Sequence, residues 1–219
     1  LRDKEVCVFG TGEEKEKVQV VIDDIEAVTE VTEGKWIVFL PAHPAGGPYV
    51  MRITGNADVV EFTNILYGEV WFAGGQSNME LEVQNADFGG EELAEADYRE
   101  IRYYNVIKTP YLDDEVLEKE SAQSWHMCRD GDFRDMSAVA YFFAKKTYEQ
   151  LKVPIGIIDC YQGGTSISCW LSEENLRSIP EGKPYLEEYE NVINSQTEAE
   201  YETALEQYNQ RLDAYNCRV

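Results

Sequence analysis

Gly68-Glu69-Val70-Trp71-Phe72-Ala73-Gly74-Gly75-Gln76-Ser77-Asn78-Met79-Glu80 is the stretch on which the fold turns. Its first half is a compact apolar run of strand length. Two glycines and a polar cluster follow, and Met79, Leu81 and Val83 then resemble a helix start, so the segment predicts a strand, a tight turn and a helix. A serine at such a turn is exposed at the carboxyl end of a sheet, and its own N–H lies at a helix N-terminus where it can stabilise an oxyanion. Met79 stands where the generic nucleophile elbow has glycine, and on pattern alone the same residues suit an ordinary tight turn with a helix-capping serine.

Working outward, Ile101 to Val106 reads as a further strand. Ser137 to Leu151 reads as an amphipathic helix with Val139, Phe142 and Phe143 on its apolar side, and Val153 to Asp159 as a buried strand. Alternating strand and helix implies a parallel sheet with helices on its faces. Before this, residues 1–66 form an all-β module. Val6–Phe9, Val18–Ile22, Trp36–Leu40, Tyr49–Ile53 and Val59–Phe62 are short strands punctuated by turn signals, as in a small antiparallel sandwich. Beyond Trp170, Tyr201, Leu205, Tyr208, Leu212 and Tyr215 recur at steps of four and three. An αα-hairpin is expected over about 172–217, its stripe packed on the catalytic core. The expected class is α/β, with domains at 1–66 and 67–219.

The chain of 219 residues carries 42 acidic against 19 basic side chains, a formal charge of −23. That charge repels phosphate backbones and anionic lipid, so neither nucleic acid nor a membrane surface is expected as a partner. Five scattered cysteines, Cys7, Cys128, Cys160, Cys169 and Cys217, form no CxxC pair, and the odd count favours a reducing compartment, cytoplasmic before secreted. Cys160 and Cys169 are expected to be buried and inert. Any secretion signal is expected to have been removed or never to have existed. No metal or cofactor is expected: Asp23-Asp24 and Asp113-Asp114-Glu115 lack a calcium-loop pattern, and His43 and His126 are distant from each other in sequence. Trp36, Tyr49 and Phe62 could stack on sugars in a non-catalytic binding module, but their period-two positions place them mainly in the core.

The Gly68–Glu80 stretch closely resembles the signature of the sialate O-acetylesterase family, SGNH-type serine esterases that remove O-acetyl groups from sugars. Ser137-Ala138-Val139-Ala140-Tyr141-Phe142-Phe143, Val153–Ile158, Gly163-Gly164-Thr165-Ser166 and Cys169-Trp170 agree in order and spacing. The resemblance implies a β-sandwich ahead of a partial SGNH-like parallel-sheet domain. It implies Ser77 as nucleophile, and Ser77, Gly163 and Gly164 as the source of oxyanion-hole N–H groups. Gln76, Asn78, Gln162 and Thr165 would line the pocket for an acetylated carbohydrate, Gln162 standing where many relatives have Trp. It also places the family's histidine in an Asp-x-x-His block, and an oxyanion-completing Asn or Gln block, beyond Val219. The chain is therefore expected to be the amino-terminal part of a longer esterase, inactive alone, with His43 and His126 as surface or packing residues; His126 is expected in a linker.

Overall fold

The computed structural model describes residues 1–56, 58–109 and 113–216, the last four by backbone alone. They divide into two compact units, Leu1–Gly163 and Gly164–Val219.

The first unit begins with six antiparallel strands: β1 (Val6–Thr11), β2 (Lys17–Ile22), β3 (Ile25–Glu30), β4 (Lys35–Leu40), β5 (Gly46–Thr54) and β6 (Val59–Tyr67). β1 pairs with β4, and the other four form a sheet in the order β3-β2-β5-β6. Strict alternation turns Val18, Val20 and Ile22 of β2 and Trp36, Val38 and Leu40 of β4 inward. Each such side chain contributes roughly 1.5–3 kcal/mol by leaving water. β3 is an addition to the sequence reading. Asp23 and Asp24 are the two-residue turn between Ile22 and its partner Ile25, with Asp23 at φ 52°, so these acids are hairpin chemistry as well as solvated charge. Trp36 is buried and Tyr49 packs on the same cluster, but Phe62 is exposed rather than core: it pairs with Met51 on the core-facing side of the sheet, yet belongs to the peripheral strand β6, which leaves half of its side chain open.

The chain then forms β7 (Glu69–Gly75), α1 (Ser77–Glu80), α2 (Gly89–Glu95), β8 (Asp97–Asn105), α3 (Asp114–Ser121), β9 (His126–Arg129), α4 (Ala138–Leu151) and β10 (Ile155–Tyr161). The sheet order is β7-β10-β8-β9. β7, β10 and β8 are parallel, and β9 runs antiparallel to β8, which makes the sheet mixed rather than parallel throughout. His126 accordingly sits on a strand rather than in a linker. The expected helix start at Met79-Leu81-Val83 is also shorter: α1 ends at Glu80, Leu81 is extended, and buried Val83 opens a single 3-10 turn.

α4 begins where expected, with Ser137 accepting the Ala140 N–H at 3.3 Å as its N-cap. Its buried face differs. Ala138, Ala140, Tyr141 and Ala144 pack into the core with Ile101, Tyr103, Ile155 and Ile157, whereas Val139, Phe142 and Phe143 are exposed. Small alanines let the helix lie close to the sheet, so bulk alone misidentified the inward face. Arg102 ties the two sheet systems together, its guanidinium donating to the Asn64 carbonyl at 2.6 Å and to Asn64 Oδ1 at 2.8 Å.

The second unit is helical: α5 (Glu173–Ser178), α6 (Lys183–Asn194) and α7 (Glu198–Asn216). Arg177 on α5 bridges to Glu190 on α6 at 2.9 Å. Thr197 and Glu200 form reciprocal hydrogen bonds that cap the start of α7. Tyr201, Leu205, Tyr208 and Leu212 are exposed, so packing for this stripe is not found within the helical unit; the Tyr215 side chain lies outside the described residues. Among the described residues no helix is long and apolar enough to cross a membrane.

Candidate active site

Parallel pairing of β7 with β10 sets Ala73 beside Asp159 and Gly75 beside Tyr161, so both strands release their chains at one carboxyl edge. Gln76 then breaks the strand as the N-cap residue, and Ser77 is the first helical residue. Ser77 and Asn78 are exposed. The N-cap is Gln76 and no side chain caps the helix, which removes the reading of Ser77 as a capping serine.

On the neighbouring strand, the Gln162 N–H donates to the Gly75 carbonyl at 3.0 Å and Gly163 follows. A Cβ on Gly163 would lie 3.6 Å from Ser77 Oγ. The structure thus brings Gln76, Ser77, Asn78, Gln162 and Gly163 to one edge of the first unit. Gly164 and Thr165 open the second unit. Gly164 has φ +78°, a left-handed conformation that suits glycine, and Thr165 Oγ1 accepts the Trp170 indole N–H at 2.9 Å.

One participant had no signal in the sequence reading. Of Gly163 and Gly164, one is expected to present its N–H toward the Ser77 hydroxyl region; the Gly163 N–H instead donates to Glu80 Oε2 at 2.5 Å. The other Glu80 oxygen holds the Lys108 ammonium, which also lies 4.7 Å above the centre of the Tyr161 ring. The Lys108 contact first, and the Gly163 N–H second, hold the Glu80 carboxyl below the ordinary carboxylate range.

Beneath this edge lies a buried polar layer. Asp159 Oδ2 accepts the Ser137 N–H at 2.7 Å, while Oδ1 has no hydrogen-bond partner among the described residues. Burial pushes the Asp159 carboxyl up to about 7. The Tyr161 hydroxyl donates to the Asp135 carbonyl at 2.8 Å, and the Tyr103 hydroxyl to Asp135 Oδ1 at 2.6 Å.

Neither histidine approaches Ser77. His43 is buried in the sandwich, stacked on Tyr67 at 4.4 Å, with Nδ1 against the Pro44 carbonyl at 2.8 Å and Nε2 against Asp23 at 3.4 Å. Asp23, Asp24 and His43 bring potential ligand atoms within 4.8 Å of one another, an association the sequence spacing did not suggest. His126 pairs with Tyr103, Tyr103 with Ile157 and Ile157 with Trp71, so it occupies the Trp71 row three strands away. Three strand spacings are about 14 Å, and its ring rests against Tyr103 at 5.3 Å.

Residues 67–215 match the family model described as carbohydrate esterase, sialic acid-specific acetylesterase. The chain belongs to this family. It is 30% identical over 192 residues to the sialate O-acetylesterase of Mus musculus, covering 78% of this chain and 36% of that protein. To the sialate O-acetylesterase of Homo sapiens it is 31% identical over 155 residues, covering 65% of this chain and 29% of that protein. The structure is similar to that of a carbohydrate acetylesterase from Xanthomonas citri, with TM-score 0.73 and 32% identity over 80% of this chain and 40% of that one. The chain therefore spans about a third of the length of the curated relatives it matches.

Proposed function

We propose that this chain carries the nucleophile of an SGNH-type serine esterase that removes acetyl groups from carbohydrates, sialic acid first and acetylated plant or bacterial polysaccharide second. The reading rests on Ser77: an exposed hydroxyl at the first turn of α1, with the Gly163 backbone close enough that a Cβ there would stand 3.6 Å from its oxygen. Ser77 Oγ attacks the acetyl carbonyl, and the Ser77 N–H receives the oxyanion, with the Gly163 backbone beside it. The C–O bond to the sugar breaks, the sugar oxygen takes a proton, and water then releases acetate from the serine.

A serine hydroxyl needs a base, and His43 is buried in the sandwich while His126 lies on β9, three strands away from β7. The base in this reading comes from outside residues 1–219, and this chain alone is inactive. The test compares this chain with a protein extended past Val219 on a chromogenic acetyl ester, each beside Ser77→Ala. Activity of the extended protein alone, abolished by Ser77→Ala, is expected. Equal turnover by both Ser77 forms would remove the nucleophile, and activity of the short chain abolished by His126→Ala would return the base to this chain.

A further inference from the structure

Glu80 sits three residues after Ser77 and has no part in the chemistry just described. Its carboxylate joins three segments of chain: the short helix that carries Ser77, the segment after β8 through Lys108, and the end of β10 through the Gly163 N–H. α1 has four residues and no side-chain cap, so its own hydrogen bonds do little to fix it. Charge-assisted hydrogen bonds of this kind are roughly twice as strong as neutral ones. The Glu80 side chain is one-third exposed and the Lys108 side chain 38%, so the contact lies at the rim of the site rather than in the core.

The rear of the clasp is built as well. Lys108 lies over the ring of buried Tyr161, whose hydroxyl is anchored on the Asp135 carbonyl, and Gly163 is two residues further on. A Cβ on Gly163 would collide with Glu80 Oε2, so a side chain there could be housed only by moving the Glu80 carboxylate away. The absence of a side chain at residue 163 is thus what lets the carboxylate reach the backbone.

We propose that Glu80 is a positioning residue for the Ser77 reaction: its carboxylate grips the Gly163 peptide and Lys108, and so fixes the glycine loop against the serine. This rests on the esterase reading above. What matters for the loop is an acceptor at the Oε2 position, and a glutamine carbonyl supplies one; alanine supplies none.

The experiment measures kcat and KM for acetyl ester hydrolysis by the extended enzyme carrying native Glu80, Glu80→Gln or Glu80→Ala. In parallel, the Gly163 amide resonance is followed in this chain, with thermal melts of all three forms. Glu80→Ala is expected to lower kcat on the order of 10- to 100-fold through misplacement of the loop, with KM and the melt little changed and the downfield shift of the Gly163 amide proton lost. Glu80→Gln is expected to restore most of kcat and of the amide shift. Native turnover in Glu80→Ala, equal loss in both variants, or faster turnover in Glu80→Ala would each overturn the positioning role, the last by showing that the carboxylate competes with the oxyanion. Inactivity of the native extended enzyme would instead overturn the esterase reading and the inference with it.

Discussion

The Gln162 N–H donates to the Gly75 carbonyl at 3.0 Å, one residue beyond the end of β10. The parallel ladder between β7 and β10 therefore persists past Tyr161, and the first residue after it is Gly163. This is how two segments more than eighty residues apart are brought together at the Ser77 turn. The serine is carried out of the sheet by a helix start and the glycine by a prolonged strand, so their separation is governed by sheet register rather than by loop flexibility.

Replacing Gly163 with alanine tests that register. The new Cβ would meet Glu80 Oε2 at 2.3 Å, the far end of a flexible side chain, so the fold should tolerate it by displacing Glu80. Gly163 is not among the residues at positive φ, so backbone strain does not enter. The expected outcome is a thermal melt close to native, together with a kcat in the extended enzyme lower on the order of 10-fold or more. A native rate would detach this glycine from the reaction.

Ser77→Ala should separate chemistry from stability. Ser77 is exposed and is not the N-cap of α1, so the substitution is expected to change unfolding free energy by no more than about 0.5 kcal/mol. On the proposed role of Ser77, turnover in the extended enzyme should fall by several orders of magnitude. Urea unfolding and acetyl ester kinetics on the same preparation check both. A large stability loss would show that the serine holds the turn together.

The Ser77 turn was legible in sequence because it is local: apolar run, glycines, serine and helix start lie within thirteen residues. β10 and the extent of α4 were legible for the same reason. The Glu80 contact was not, since Glu80 and Gly163 are 83 residues apart and no periodicity marks either. β3 is not legible, because Ile25–Glu30 alternates with acids and a threonine and because Asp23-Asp24 carries charge where a hairpin turn more often has glycine or asparagine. The inward face of α4 is not marked by bulk, because alanines pack closest to the sheet, leaving Phe142 and Phe143 outside. β9 offers only four residues, too few for a periodic signal.

Thiol reactivity should follow burial. Cys128 is fully buried and its thiol is pushed well above the ordinary range, chiefly by desolvation. Cys160 is half-buried and also raised, again chiefly by desolvation. Cys7 and Cys169 are exposed, which corrects the expectation of a buried Cys169; Cys217 lies outside the described residues. Brief alkylation of the native chain followed by peptide mapping should modify Cys7 and Cys169 first and leave Cys128 intact until denaturant is added. Early modification of Cys128 would contradict the packing of the core around it.

Asp159 should make stability depend on pH in the direction opposite to that of a paired carboxylate. Desolvation raises its pKa to about 7, opposed by the Ser137 N–H, reinforced by nearby Asp135 and opposed again by Lys108. In the unfolded chain it titrates near the ordinary value of about 3.9. Between these two values the folded state holds a proton that the unfolded state has released, so stability contributed by this group declines as pH rises through that window. Above the folded value the decline is complete, with a ceiling of about 4 kcal/mol for a displacement of this size. Asp159→Asn keeps an oxygen acceptor for Ser137 and cannot ionise. It should therefore lose less stability than the native chain between pH 5 and pH 8, measured as urea midpoints. Every other acidic group is common to both proteins, so the difference between the two curves isolates Asp159. Parallel curves would show that this carboxyl is ionised throughout the range, and that the Ser137 N–H together with Lys108 outweighs its burial.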